Sequence, residues 1–534
     1  MSKEPGMEGN KTVGAGWAAR FLLAIILVSA FAIRYRGISY GLPAITRQDE
    51  ILIMNVVFRM VRDGDANPHF FVYPSLFLYM QAGLLKAELA CGRVSGSCRS
   101  LQDADMSSIF LAGRFLTLFF SLATLLAVYF IGKLLFHRGA GIAAVLILAF
   151  CPLHVANSVY NSVDSPMTFW VTLAFLQAVL IHQRGPKWRY YVLGAVFAGF
   201  AVGTKYNAAI IVLPLLLAHF QAHSFSWRAV GQRKLLTAAL LAALAFIATT
   251  PYALLSFGEF TAGIRFFTGH YSAGHLGATA PLVSYLQYAR LLGQGFGPWL
   301  VLAALGAAVH LVARERRKGI LLVAYPFAFF LMIGMVRAYF SRNLLSLTPF
   351  LALLAGYGTV QAAMFLRRTV MPPAAGILRA RVPPGKRLAS VAALLVVVLS
   401  AACLFRQGLR SYRHVSQSTL LDTRLEAERW IEANLPGKAR IVREKYTPRL
   451  PRRQFRGKRV QFDLPLMKPA ELGRFDYVIT SSHVYDRYFR DRKTYGEYAA
   501  FYEDLFARYE CVRKFTPDGV RTTGPTVRVL RVKK

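Results

Sequence analysis

Apolar runs recur through residue 405 of this 534-residue chain, and the connections between them alternate between strongly basic and nearly neutral. The runs cover residues 21–33, 109–135, 140–155, 167–181, 191–202, 208–220, 235–247, 286–312, 320–335, 344–366 and 388–404. A helix needs about 20 apolar residues to cross a hydrocarbon core. With 55% hydrophobic and only 17% charged residues, the chain reads as a polytopic α-helical membrane protein of about eleven transmembrane helices. Every second connection is basic: Lys133/Arg138, Arg184/Lys187/Arg189, Arg228/Arg233/Lys234, Arg314/Arg316/Arg317/Lys318, and a linker over 367–387 with the pairs Pro372/Pro373 and Pro383/Pro384. Positive charge stays in the cytoplasm, so these loops and the N-terminal arm with Lys3, Lys11 and Arg20 face inward. The first run and its Ala30-x-Ala32 pair resemble a signal peptide, but so many later spans argue for a retained first helix.

Residues 34–107 form an outer loop. The stretch 70–89 is apolar enough to suggest a span, but counting it would place Lys133, His137 and Arg138 outside, so it reads as a re-entrant or interfacial helix. Five cysteines fit no zinc spacing; Cys91 and Cys98 alone lie close together, as a small disulfide loop or as two separate thiols. The net charge of +37 sits between the spans and in the tail, which suits topology and membrane-surface attraction rather than nucleic acid.

Residues 1–405 thus form a membrane domain, and 406–534 have the composition of a soluble α/β domain on the outer face. In the latter, 421–434 has helical periodicity with Leu425, Trp430 and Ile431 on one side, stopped by Leu435-Pro436-Gly437. Strands are expected over 440–443, 477–480 and 527–532.

This topology collects polar residues at the outer helix ends: Asp49 and Glu50, then Asp164 with Asn157 and Asn161, Lys205 with Tyr206, His270, Tyr271 and His275, and finally Arg337 and Arg342. Each has an ordinary structural role open to it. Thr46 and Asp49 have capping-box spacing, Asp164 before Ser165-Pro166 suits a helix cap, and the cations can snorkel to headgroups. Together they pair a carboxylate base with cations suited to a phosphate.

Several stretches also carry a resemblance. Arg47-Gln48-Asp49-Glu50 resembles the acidic first-loop motif of the GT-C glycosyltransferases, in particular glycosyltransferase family 39, the protein O-mannosyltransferases and aminoarabinose transferases. Similar to that family too are Tyr73 to Tyr79, Ala112-Gly113-Arg114-Phe115, Pro152-Leu153-His154 through Asp164-Ser165-Pro166, Gly203-Thr204-Lys205-Tyr206 and Ser341 to Pro349. In the tail, Asp422-Thr423-Arg424 through Trp430-Ile431 and Glu444 to Pro448 resemble the outer domain of bacterial members. Tyr73 and Ser75 stand where the family has His and Pro, and Asn follows Arg342 where it has Tyr.

The resemblance implies a GT-C fold and transfer of a sugar, with inversion, from a polyprenyl-phosphate donor to a protein, lipid or glycan acceptor outside the plasma (inner) membrane. It implies that Asp49 is the general base, that Lys205, Arg337 and Arg342 hold the donor phosphate, and that Tyr73, His270, Tyr271 and His275 contact sugar or acceptor. Glu50 and Asp164 would orient the acceptor or, as in metal-using relatives, bind a divalent cation; no cofactor is otherwise implied. The alternative is a lipid or solute transporter or flippase, which usually carries inverted repeats and midplane charges, and neither is evident here. The alternating loops place the tail outside, so a reporter fused at Lys534 is expected to be active only on the outer face; activity only in the cytoplasm would overturn the helix count.

Overall fold

The computed structural model describes residues 6–42, 47–95, 101, 105–273, 281–337, 339–370, 384–451, 453–460, 462 and 464–532. Cys98 and Thr46 lie outside them, and Cys91 is exposed. The chain divides into two compact units, one running to His414 and one built on Val415–Lys534.

The first unit is helical. It begins with α1 (Gly6–Gly37), α2 (Gln48–Asp63), α3 (Leu76–Ser95), α4 (Met106–Leu135), α5 (Arg138–Ala149) and the short α6 (Pro152–Ala156). Next come α7 (Asp164–Arg184), α8 (Trp188–Thr204), α9 (Val212–Ala222), α10 (Arg233–Thr249), α11 (Tyr252–Leu255) and α12 (Phe257–Ala273). It closes with α13 (Pro281–Phe296), α14 (Pro298–Arg314), α15 (Arg316–Gly334), α16 (Thr348–Val370) and α17 (Pro384–Ser418). Two 3₁₀ turns, Tyr206–Ile211 and Ser341–Leu347, open α9 and α16.

Each expected crossing falls on a helix, but not all are long enough to span. Among the described residues six stretches are long and apolar enough: Trp17–Gly37, Met106–Leu135, Asp164–Arg184, Arg316–Gly334, Ser341–Thr369 and Leu388–Ser418. The single run expected over 286–312 is broken. Gly297 has φ +96°, Pro298 starts a new helix, and the two halves bend by 106°, giving a seventh span only if the pair counts as one. α8 and α10 have 17 residues each, about 25 Å at 1.5 Å per residue, short of a core of about 30 Å. α3 takes up residues 76–89 of the apolar stretch 70–89 and is not among the helices long and apolar enough to cross.

Small residues bring α4, α5 and α16 together. A Cβ on Gly356 would stand 2.7 Å from the Ala144 amide nitrogen, and one on Gly132 2.6 Å from Gly141 Cα. Aromatic rings then fill the core: Phe350 meets Phe175 edge-on and stacks on Tyr325, each at 4.8 Å between ring centroids.

The second unit is α/β. A two-residue parallel pair, β1 (Leu421–Asp422) with β6 (Thr522–Thr523), flanks a five-stranded sheet of β2 (Arg440–Arg443), β3 (Arg456–Arg459), β4 (Tyr477–Ser481), β5 (Glu510–Phe515) and β7 (Val527–Arg531). The order is β3-β2-β4-β7-β5, with β2 parallel to both neighbours and β7 antiparallel to both of its own. The helix α18 (Thr423–Asn434) is capped by Asp422, which accepts from the Arg424 amide at 2.9 Å. The helices α19 (Pro469–Leu472), α20 (Ser482–Arg490) and α21 (Arg492–Arg508) complete the unit.

One buried acid sets a pH dependence in this domain. Glu444, just after β2, is fully buried; it accepts from the Ser481 amide at 3.0 Å and bonds the Tyr502 hydroxyl. Burial pushes its carboxyl up to about 8 from an ordinary 4.5, against those two hydrogen bonds, which lower it. The folded state therefore holds a proton that the unfolded chain releases between those values. That contribution to stability is present below pH 4.5 and is lost as pH rises through about 8. Hydrogen exchange at β2 and β4 in the full-length protein, corrected for intrinsic rates, is expected to show less protection above pH 8 than at pH 5, with Glu444→Gln removing most of the difference. An unchanged pH dependence in the variant would contradict this origin.

Candidate active site

The site is assembled where the start of α2, the loop before α7, the α8 to α9 connection and the Ser341–Leu347 turn come together. At α2 the N-cap is Arg47 in extended backbone, with no side-chain cap bond. Asp49 lies in the first turn, where a carboxylate favours the helix dipole, and it pairs with Arg342, Nη1 to Oδ2 at 2.9 Å. The Arg342 guanidinium also lies 4.2 Å from the centroid of the Phe340 ring. The Asp49 side chain is 35% exposed and that of Arg342 22%, so this pair remains open to solutes.

Its neighbour Glu50 has the opposite environment. Successive helical residues point about 100° apart, and Glu50 turns inward to full burial. There Arg114 donates Nε and Nη2 to its two oxygens at 2.8 and 2.9 Å, and the Asn161 amide adds a bond of 2.8 Å. Arg114 Nη1 is held by the Ile38 carbonyl at 2.7 Å. Gly113 permits this approach, since a Cβ there would stand 2.5 Å from both Asn161 Oδ1 and Gln81 Oε1.

The second acidic loop delivers Asp164, the first residue of α7, whose side chain is not that helix's cap. Its carboxylate accepts from Lys205 Nζ at 2.7 Å and from the Ser162 hydroxyl at 3.0 Å, and Arg342 Nε lies 3.9 Å away. Lys205 sits in extended backbone between α8 and the 3₁₀ turn and also donates to Asn343 Oδ1 at 3.1 Å, while Asn343 Nδ2 donates to the Tyr288 hydroxyl at 2.9 Å. At 2% exposure Lys205 does not snorkel to headgroups.

Of the remaining expected residues, Tyr73 is buried and, with Asp164 and Tyr160, lies within electrostatic reach of Arg342. Arg47 stacks 4.5 Å from the Tyr160 ring centroid. Arg337 is exposed and makes none of these contacts. The side chains of His270 and Tyr271, and all of His275, lie outside the described residues. Collecting polar residues at outer helix ends overlooks Asn343 and Arg114. An arginine inside an apolar helix is the available signal for the latter, since such a charge needs a buried partner.

The donor set does not suit a divalent cation. Glu50 spends both oxygens on Arg114, Asp164 faces Lys205 and Arg342, and no group of three or more His, Cys, Asp or Glu among the described residues converges on one point. Glu50→Gln is expected to leave the Arg114 charge buried and half paired and to destabilise the membrane unit by about 3 kcal/mol or more. Thermal unfolding in detergent checks this, and a melting temperature equal to wild type would contradict it.

Comparison with known proteins bears on the fold. The family described as dolichyl-phosphate-mannose-protein mannosyltransferase matches residues 106–252, a segment that carries Arg114, Asp164 and Lys205. A search of curated proteins finds no match. The apo crystal structure of ArnT from Cupriavidus metallidurans aligns at a TM-score of 0.55 and 14% identity over 97% of this chain and 98% of that one. Its complex with undecaprenyl phosphate aligns at 0.52 and 13% identity over 96% and 98%. Archaeal oligosaccharyltransferase AglB from Archaeoglobus fulgidus, in complex with an inhibitory peptide and a dolichol-phosphate, aligns at 0.51 and 12% identity over 94% and 74%. At these identities the solved structures show the fold alone, so the chain has the GT-C fold, and its likeness to the mannosyltransferase family is confined to residues 106–252.

Proposed function

We propose that this enzyme transfers a sugar from a polyprenyl-phosphate carrier to an acceptor hydroxyl on the outer face of the membrane, with inversion. The observation that carries the reading is the double pairing of Asp49 with Arg342 and of Asp164 with Lys205, because Arg342 faces both carboxylates. A structure of similar fold holds undecaprenyl phosphate and another a dolichol-phosphate, which supports a donor of this class.

The arrangement accounts for each step with residues present. An arriving lipid phosphate is a stronger partner for a guanidinium and an ammonium than a single carboxylate, and it draws Arg342 away from Asp49 and Lys205 partly away from Asp164. Asp49 is then free to accept the acceptor's proton as its oxygen attacks the anomeric carbon from the face opposite the phosphate. The bond from that carbon to the phosphate oxygen breaks with its electron pair going to the phosphate, whose growing charge Lys205 and Arg342 stabilise. Asp164 and Asn343 keep the Lys205 ammonium aimed, and Tyr73 stands beside Arg342 where the sugar would lie. Glu50 fixes α2 against α4 rather than meeting substrate.

The test is sugar transfer by purified protein from a polyprenyl-phosphate sugar. Asp49→Asn, which preserves size, is expected to express normally and to lose turnover by a factor on the order of 10² to 10⁴. Lys205→Ala is expected to weaken donor binding as well as turnover. Near wild-type turnover in well-folded Asp49→Asn protein would remove it as the base, and unchanged donor affinity in both Lys205→Ala and Arg342→Ala would remove the phosphate clamp.

A further inference from the structure

The break between α13 and α14 opens a second cavity on the far side of α13, largely apolar but rimmed by arginines. Tyr288 on one face of that helix reaches Asn343, while Arg290 and Gln294, both exposed, line on another a half-open cavity of about 650 Å³ whose opposite wall is α17, with Arg406 and Arg410 also exposed. From α17 come Arg406, Gln407 and Arg410, and Gly297 at the break lies under them: a Cβ there would stand 2.5 Å from Gln407 Nε2. Three features point to a ligand. Among the described residues none of the three arginines is in an ion pair, and no acidic residue lines the cavity. Gln407 is 2% exposed, yet neither its Nε2 nor its Oε1 has a hydrogen-bond partner among the described residues, a costly state for a buried amide. Through Trp299 and Leu399 the cavity shares walls with an apolar groove of about 720 Å³ along α14, α16 and α17, floored by Gly306, Ala307, Gly358 and Ala393.

We propose that this paired cavity and groove is a binding site for an anionic membrane phospholipid, its phosphate among Arg290, Arg406 and Arg410 and an acyl chain in the groove. The charge is complementary, and Gln407 supplies both a donor and an acceptor to the headgroup. The level suits a headgroup as well. The two helices bend by 106° at the break, so they cannot both run along the bilayer normal, and the cavity lies at the start of α14, above the apolar groove that continues along it. The occupant is a phospholipid rather than the sugar donor, because α13 separates this cavity from Lys205 and Arg342. A phosphate bound here is not presented to Asp49. A lipid in this place would brace α13, and through Tyr288 the Asn343 that aims Lys205.

The experiment is native mass spectrometry of delipidated full-length protein titrated separately with dioleoylphosphatidylglycerol, dioleoylphosphatidylcholine and undecaprenyl phosphate. Wild type is expected to hold phosphatidylglycerol about tenfold or more tighter than phosphatidylcholine. Combined Arg290→Gln, Arg406→Gln and Arg410→Gln should abolish that preference and leave undecaprenyl phosphate binding unchanged. Gly306→Leu, at a position where an added Cβ meets no atom within 4 Å, should obstruct the groove and weaken both phospholipids without touching the arginines. Equal affinity of wild type for the two phospholipids would overturn the proposal, as would wild-type phosphatidylglycerol binding in either variant. Loss of undecaprenyl phosphate in place of phosphatidylglycerol would assign the groove to the donor and overturn it equally.

Discussion

A charge inside a membrane protein has to be answered by another charge or by fixed dipoles, and the architecture of the first unit follows from how that is done. Glu50 and Arg114 form a fully buried bidentate pair whose spare valences are met by the Asn161 amide and the Ile38 carbonyl. A buried pair of this kind adds little net stability over an apolar pair, but losing one partner is severe. What it supplies is registry. It ties the start of α2, the residue after α1, the first third of α4 and the loop before α7 to one point, and so fixes where Asp49 and Asp164 stand. Deeper in the same unit Arg34 plays a similar part, bonded to the Ala30 and Ala149 carbonyls, the Ser121 hydroxyl and His154.

The outer pairs differ from the inner one in exposure rather than in kind. Asp49 with Arg342 is partly open and Asp164 with Lys205 is closed, and the Arg342 side chain touches both. The cations and carboxylates satisfy each other, so none of these charges is left without a partner where water is scarce, and on the proposed roles they are held ready for a donor. The same pairing makes the base and the phosphate clamp interdependent: whatever draws Arg342 away also uncovers Asp49.

Much of this is legible in the sequence where the signal is local. All eleven apolar runs fall on helices, though 140–155 is interrupted at Phe150-Cys151 and 286–312 at Gly297, and β2, β4, β7 and α18 lie where the patterning leads one to expect strands and a helix, because burial on one face leaves a period in the residues. The strands β3 and β5 give no such signal. Both are sheet edges, and Arg456–Arg459 is exposed and charged apart from its glycine, a common way to discourage edge pairing but not a pattern that reads as a strand. Asp49, Asp164, Lys205 and Arg342 can be collected because each stands at or beside a helix end that the alternating loop charges assign to one face. The different fates of Asp49 and Glu50 cannot. They depend on Arg114, 64 residues away, and nothing local says which of two adjacent carboxylates will face it. The break at Gly297-Pro298 is likewise written in two residues that a hydrophobic run conceals.

The central claim is that a lipid phosphate competes with Asp49 for Arg342. A structure with an unreactive polyprenyl-phosphonate sugar analogue bound would test it most directly, by the distance between Arg342 and Asp49. The account predicts that the present 2.9 Å contact opens, with the phosphonate oxygens in hydrogen-bond range of both Arg342 and Lys205. A phosphonate bound elsewhere, with the Asp49 to Arg342 and Asp164 to Lys205 pairs both intact, would contradict it.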